Sequence, residues 1–461
     1  MTLYNTAWKD SGLPVSTSSN EAAKLYDAVL RQYLSWSDCD ALGGLEKSCK
    51  SLLEADPSFV LGRTLVLGLE VIGTGRSTRL DKEFANQLDE LYADSLKSSI
   101  TLREKLHARA IKQFADGLLT ESCETWECIL NEHPTDLLAL KFVQDGYFYL
   151  GDKVGIRDSV GRVLPKWKSD TPGYSYLKGM WAFGLEECGD YDSAEKAAKE
   201  ALDARRYDGW ATHAMAHCFE MNGRYEEGIK FMSNTVQDWS SCNFLACHNF
   251  WHTALYHIEK KDYEGAVDIF DKEIGPRGSS GAMLDVVDSC SLLYRFQLEG
   301  LELGSRWDPV YEYCRPHVDD HILSFNDVHI CMAIIGKGDE DGLAKYRESI
   351  AEYIKSAVGD NRELTAKYGL PICEALAAFN SKDYQTAVDK LYPIHDQIYR
   401  IGGSHAQRDV FDQMLIHSCL KSADANQNKL AKELIIRRNT LKSGSTFPER
   451  LACQFKMMHL D

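Results

Sequence analysis

Four stretches of the chain repeat one arrangement of apolar and polar positions. "GDYDSAEKAAKEAL" from Gly189, "GRYEEGIKFMSNTV" from Gly223, "KDYEGAVDIFDKEI" from Lys261 and "KDYQTAVDKLYPIH" from Lys382 each open on a turn and a tyrosine. A small residue follows three positions on (Ala194, Gly228, Ala266, Ala387), and apolar residues then recur at helical spacing. The first three small residues are 34 and 38 positions apart, a period that marks stacked helix-turn-helix units. The small residue lets two antiparallel helices approach closely, and the turn tyrosine packs over their junction. One pair cannot bury its apolar faces alone, so neighbours must stack. Earlier stretches fit more loosely: "ESCETWECILNEHPTDLLAL" breaks at His133-Pro134 and "SCKSLLEADPSFVLGRTL" at Asp56-Pro57. Proline cannot continue a helix but suits the first turn of the next.

Four blocks extend this pattern into something more specific: "THAMAHCFEMNGRYEEGI", "CHNFWHTALYHIE", "SFNDVHICMA" and "GGSHAQRDVFDQMLI". With them the chain resembles the tetratricopeptide repeat proteins, and in particular the tetratricopeptide repeat protein 38 family, over nearly its whole length. The resemblance implies an all-α, tetratricopeptide-like α-solenoid of antiparallel helix pairs and brings no defined activity with it. Repeat lengths drift and the Trp-Leu-Gly signature of the first helix is degraded, so an irregular solenoid, closed into a ring or horseshoe, is expected in place of a uniform open superhelix. Residues 1–20 read as an N-terminal extension and 21–461 as a single helical-repeat domain. "EIGPRGSSGAM" (Glu273 to Met283) reads as a long inter-helix loop.

In such repeats the first helix of each pair lines the concave surface, which directs attention to its polar residues. His213 and His217 stand four apart on one first helix, and His248 and His252 repeat the spacing on the next. On any helix, positions i and i+4 share a face. His317 and His321 make a third pair. Fourteen histidines in 461 residues would give roughly half a pair at this spacing by chance. Other first helices offer His107, Gln144 and Asp145, then Asp285, Asp288 and Arg295, then Asn326, Asp327 and His329, and finally His405, Gln407, Arg408 and Asp409. Trp210 and Trp251 would supply apolar walls. Each has a plainer reading. Histidines among Trp, Phe and Met are commonly core residues with a satisfied ring nitrogen. Asp285 and Asp288 suit a helix N-terminus, and Arg408-Asp409 suits a structural ion-pair network. The case for function rests on the collection, because apolar helices seldom carry many ionisable groups on one face unless these are paired, hydrated or binding something.

Composition narrows the field. The chain is 44% hydrophobic and 26% charged, with a formal net charge of −17 and no Lys/Arg cluster, so a basic surface for nucleic acid or anionic membrane is not expected. No run of about 18 apolar residues occurs. The opening "MTLYNTAWKDSGLPVSTSSNEAAKLY" has no basic segment followed by an apolar one, and the closing "MMHLD" matches no retention or peroxisomal signal. Fourteen cysteines are scattered singly without C-x-x-C spacing. That usage predicts reduced thiols in a cytoplasmic protein, with residues such as Cys188 and Cys373 as small core fillers.

Three readings of different class follow. The first is a concave pocket that binds a small polar ligand or short peptide, lined by Trp210, His213, His217, His248, Trp251, His252, Asp285, Asp288, Asn326, Asp327, His329, His405 and Arg408. The second is an enzyme using the same pocket, with His217, His252, Asp327 and Arg408 as catalytic candidates. In its metal-assisted form His213, His217, His248 and His252 are the candidate ligands of a divalent metal, with Asp285 or Asp327 completing or orienting the shell. Neither pair is H-E-x-x-H, since Ala214 and Asn249 follow the leading histidines. The third is a protein-interaction scaffold with incidental histidines. Ligand identity and oligomeric state are not legible at this level.

Overall fold

The computed structural model describes residues 4–243 and 245–455, and all regular structure among them is helical, from Tyr4–Asp10 to Phe447–Phe455. The closing "MMHLD" and the first three residues of the opening stretch lie outside the described residues. No described helix is long and apolar enough to cross a membrane. The chain divides into two compact units: Met1–Thr212 with Asp238–Leu245 and Val358–Asn361, and His213–Gln237 with Ala246–Ala357 and Arg362–Asp461.

The repeated turn explains itself in backbone terms. Helices Tyr191–Ala204, Tyr225–Trp239, Tyr263–Ile269 and Tyr384–Leu391 all begin on the turn tyrosine. Two residues earlier the chain takes a left-handed conformation, with φ of 84° at Gly189, 67° at Gly223, 61° at Lys261 and 65° at Lys382. That residue terminates the preceding helix. In three of the four turns the intervening aspartate caps the next helix: Asp190 accepts from the Ser193 N–H, Asp262 from Gly265 and Asp383 from Thr386. The small residues three positions past the tyrosine are buried where they are alanine, at Ala194, Ala266 and Ala387. At Gly228 a Cβ would stand 2.7 Å from the Tyr256 ring, so only glycine allows that approach.

In the first unit, consecutive helices pack on one another in order, among them Leu102–Ala115 on Leu119–Glu132, the latter on Leu137–Leu150, and Tyr174–Glu187 on Tyr191–Ala204. The N-terminal segment joins this packing: Leu13 is buried, Arg103 donates to the Leu13 and Pro14 carbonyls, and Ser16 donates to Glu104.

In the second unit, first and second helices differ in kind. Met283–Leu298, Ser324–Lys337 and His405–Lys421 are buried nearly all round, and Met283–Leu298 packs on both others. Second helices such as Glu340–Ser356 bury a single stripe, here Tyr346, Ile350 and Tyr353. The polar residues of the first helices therefore lie in a packed interior. Asp285, Asp288, Arg295, Asn326, Asp327 and His329 are all buried.

Candidate metal centre

Helices Gly209–Met221 and Leu245–Glu259 bring their i,i+4 histidine pairs together in the second unit. His213, His217, His248 and His252 each offer a ring nitrogen, and these four atoms lie within 4.8 Å of one another. The Nε2 atoms of His213 and His217 are 2.9 Å apart. Ring centroids are 4.3 Å apart for His217 and His252 and 4.9 Å for His213 and His248. All four side chains are withdrawn from solvent, at 5%, 0%, 4% and 0% relative exposure in chain order.

Two of the rings are oriented by carboxylates. His248 Nδ1 lies 2.8 Å from Asp288 Oδ2, and His252 Nδ1 lies 2.8 Å from Glu220 Oε2. Each contact commits Nδ1 and leaves Nε2 as the ligating atom, the arrangement by which outer-shell acids fix the tautomer and strengthen an imidazole ligand. The Nε2 of His252 is buried with no hydrogen-bond partner. Burial, reinforced by the neighbouring imidazoles, holds His213 and His252 well below the usual histidine range. The rings are thereby kept neutral, the form that binds metal.

Zinc with nitrogen ligands at about 2.0–2.1 Å in a tetrahedron sets its donors about 3.3 Å apart. The closest pair, at 2.9 Å, and the 4.8 Å limit on the whole set bracket that spacing. An all-imidazole set suits zinc, copper, nickel or iron and does not suit magnesium or calcium, which prefer oxygen.

The remaining candidates fall into two groups. Around the cluster, Asp288 backs His248, the Trp251 indole stacks on His248 with centroids 5.1 Å apart, and the His405 ring lies 5.7 Å from His217. Gln407 reaches Asp288 at 3.5 Å, and the Arg295 guanidinium lies 5.1 Å over the Trp251 ring. Others are engaged with further partners. Asp327 takes His321 Nδ1 at 3.0 Å and the Tyr346 hydroxyl at 3.3 Å. His321 Nε2 meets the Ser349 hydroxyl, which is itself given to Asp319, so this array anchors a loop. Arg408 donates to the carbonyl of Gly403, while Asp409 is clamped by Arg438 at 2.6 and 2.7 Å. His329 bonds the Phe325 carbonyl, and burial lowers it to about 4. Asn326 is buried beside Asp327 in sequence, and Asp285 accepts from Ser280, its carboxyl raised to about 7 by burial and by Asp288. His317 pairs with Asp320.

Several candidates belong to the first unit. Trp210 donates its indole N–H to the Leu34 carbonyl and lies 4.7 Å from Lys141. His107 and Arg103 share Asp136, Gln144 donates to the Ile156 carbonyl, and Asp145 holds Lys141 at 2.5 Å. Two surface depressions, one lined by Arg157, Trp181 and neighbours and the other by Asp389, Tyr392 and neighbours, contain no candidate residue. None of the fourteen cysteines, all among the described residues, forms a disulfide; Cys373 is buried as expected, and Cys188 is only half-buried.

Glu220 was not among the sequence candidates. The signal was present: in "THAMAHCFEM" it stands four and three residues apart, in steps, on the face of His213 and His217, and an acid on an otherwise apolar buried face demands a partner.

These features define an all-α, tetratricopeptide-like helical-repeat protein with a buried histidine cluster. No model of a known protein family matches the chain. It is similar to a chain in a solved structure of Naa15/Naa10 bound to HypK-THB, at 15% identity and a TM-score of 0.25, over 91% of this chain and 66% of that one. This chain thus spans just under two thirds of that chain's length.

Proposed function

We propose that the protein binds one divalent transition-metal ion, zinc in the first instance, through His213, His217, His248 and His252. The observation that carries this reading is the convergence of four buried ring nitrogens within 4.8 Å. Asp288 and Glu220 serve it as the acids that orient His248 and His252. On this reading the ligand is a cation in place of a small polar molecule. Membership of the tetratricopeptide repeat protein 38 family belongs with it, because the blocks "THAMAHCFEMNGRYEEGI" and "CHNFWHTALYHIE" that suggest the family are those that hold the four histidines.

Four imidazoles fill a tetrahedral shell, the closed form in which proteins hold a metal structurally, whereas water activation requires an open position. The chemistry of the donor set therefore favours metal binding over metal-assisted hydrolysis.

The test is elemental analysis of purified, untagged protein kept from chelators and nickel resin. One metal per chain is expected, lost in the His213→Ala/His217→Ala double variant. Protein that takes up no zinc, copper, nickel or iron after incubation with each would refute the reading.

A further inference from the structure

The helix bearing His213 and His217 ends in a turn that touches the C-terminal part of the chain backbone to backbone. Gly223 and Gly444 both have positive φ, 67° and 77°. A Cβ on Gly223 would stand 2.6 Å from the Ser443 carbonyl oxygen and 2.9 Å from the Gly444 Cα, closer than any side chain is tolerated. Beside this contact three cations of the segment 438–450 enter the interior of the second unit. Lys442 lies 2.7 Å from Glu220 Oε1 and 3.7 Å from Glu259. Arg450 lies 2.8 Å from Glu259, and Arg438 clamps Asp409. Ser445 and the Thr446 N–H also donate to Glu259.

Glu220 is therefore shared. One oxygen orients His252 and the other is fixed by the Lys442 ammonium. Buried ion pairs contribute little net stability once desolvation is counted, and their attested use is to specify one geometry. Here the geometry specified is that of a ligand-orienting carboxylate. Without Lys442, the two oxygens of Glu220 lose the constraint that keeps one of them on His252.

Building on the metal-binding reading, we propose that Lys442 is a positioning residue for the histidine cluster and that the segment 438–450 is its latch. Metal binding and seating of the segment are then linked, and linkage is reciprocal: whatever the seated segment adds to metal affinity, bound metal adds to the seating of the segment.

The experiment uses the full chain with zinc as the probe. Zinc affinity is measured by chelator competition for the unsubstituted protein, Lys442→Met and Lys442→Arg. In parallel, tryptic cleavage within 437–455 is followed with and without saturating zinc. Lys442→Met should weaken zinc binding severalfold, less than the roughly tenfold to hundredfold usual for removing a direct partner of a ligand, with Lys442→Arg restoring most of the loss. Zinc should slow cleavage of the segment severalfold in the unsubstituted protein. A merely structural lysine would lower the melting temperature of Lys442→Met and leave its zinc affinity unchanged, which would overturn the proposal. Should Lys442→Met fail to fold, the cleavage arm decides: a rate indifferent to zinc overturns the latch. Unsubstituted protein that binds no zinc removes the metal reading itself, so the two failures are distinguishable.

Discussion

Glu220 Oε2 and His252 Nδ1 meet at 2.8 Å across two helices, and the acid sits one turn beyond His217 on the helix that carries it. One helix thus supplies two candidate ligands and the group that orients a third. Glu220→Gln keeps the shape and an accepting oxygen but removes the charge that strengthens the imidazole. Zinc affinity should fall about tenfold or more, read by competition with a chromophoric chelator, while the far-UV circular dichroism stays helical. An unchanged affinity would assign Glu220 to the fold alone.

Metal should also stabilise the folded chain by mass action. A ligand at about a hundred times its dissociation constant adds about 2.7 kcal/mol to the stability of the state that binds it. Zinc should therefore raise the melting temperature by several degrees, and a chelator should reverse the rise. His213→Ala/His252→Ala, which leaves only two of the four ligands, should show no rise. An equal rise in that variant would place the responding site elsewhere.

Repeat architecture and the histidine pairs were legible because both are periodic. The turn signature "GDY/GRY/KDY" encodes a left-handed stop and a helix start within three residues, with a cap between them where the middle residue is aspartate, so local chemistry alone gives the pairing. The i,i+4 histidines share a face by helix geometry, and the repeat places the two pairs on successive first helices. What escaped was long-range. Lys442 reaches Glu220 from 222 positions away, and nothing in "LIIRRNTLKSGS" distinguishes a buried lysine from a solvated one. Asp327 and Arg408 were drawn to the cluster by residue type, whereas packing gave them His321 and the Gly403 carbonyl. The expected concave groove is, in the second unit, a filled interior, because its first helices carry apolar residues on every face.

Acid should weaken the second unit through Glu259. Burial alone would raise this carboxyl, but Arg450, Lys442 and Arg438 outweigh it and hold it at about 2, against an ordinary value of 4.5. A depressed carboxyl contributes stability that is complete above its unfolded value and lost as pH falls toward its folded one. The contribution should thus be intact at pH 6 and decline from about pH 4.5 toward about pH 2. Glu259→Gln should be markedly less stable than the unsubstituted protein at pH 6, with the gap narrowing as the pH is lowered through 4. Urea midpoints of the two proteins across this range provide the check, and a gap independent of pH would mean that Glu259 acts through shape and not charge.

The repeat turns offer a test of the backbone argument free of any metal. Lys261 and Lys382 occupy left-handed positions at φ of 61° and 65° with exposed side chains, where Gly189 and Gly223 stand in the sister turns. A non-glycine residue pays about 1–2 kcal/mol for that conformation. Glycine in its place relieves the strain but gives back about 0.4–1 kcal/mol, because the unfolded chain gains freedom. The balance favours Lys261→Gly and Lys382→Gly by roughly 0.5–1 kcal/mol each. The reverse exchange has a clean site, since a Cβ on Gly189 would meet nothing within 4 Å. Gly189→Lys should therefore destabilise by a similar amount through backbone strain alone. Denaturant unfolding of the three variants measures both signs, and stabilisation by Gly189→Lys would refute the left-handed stop as the element that ends each first helix.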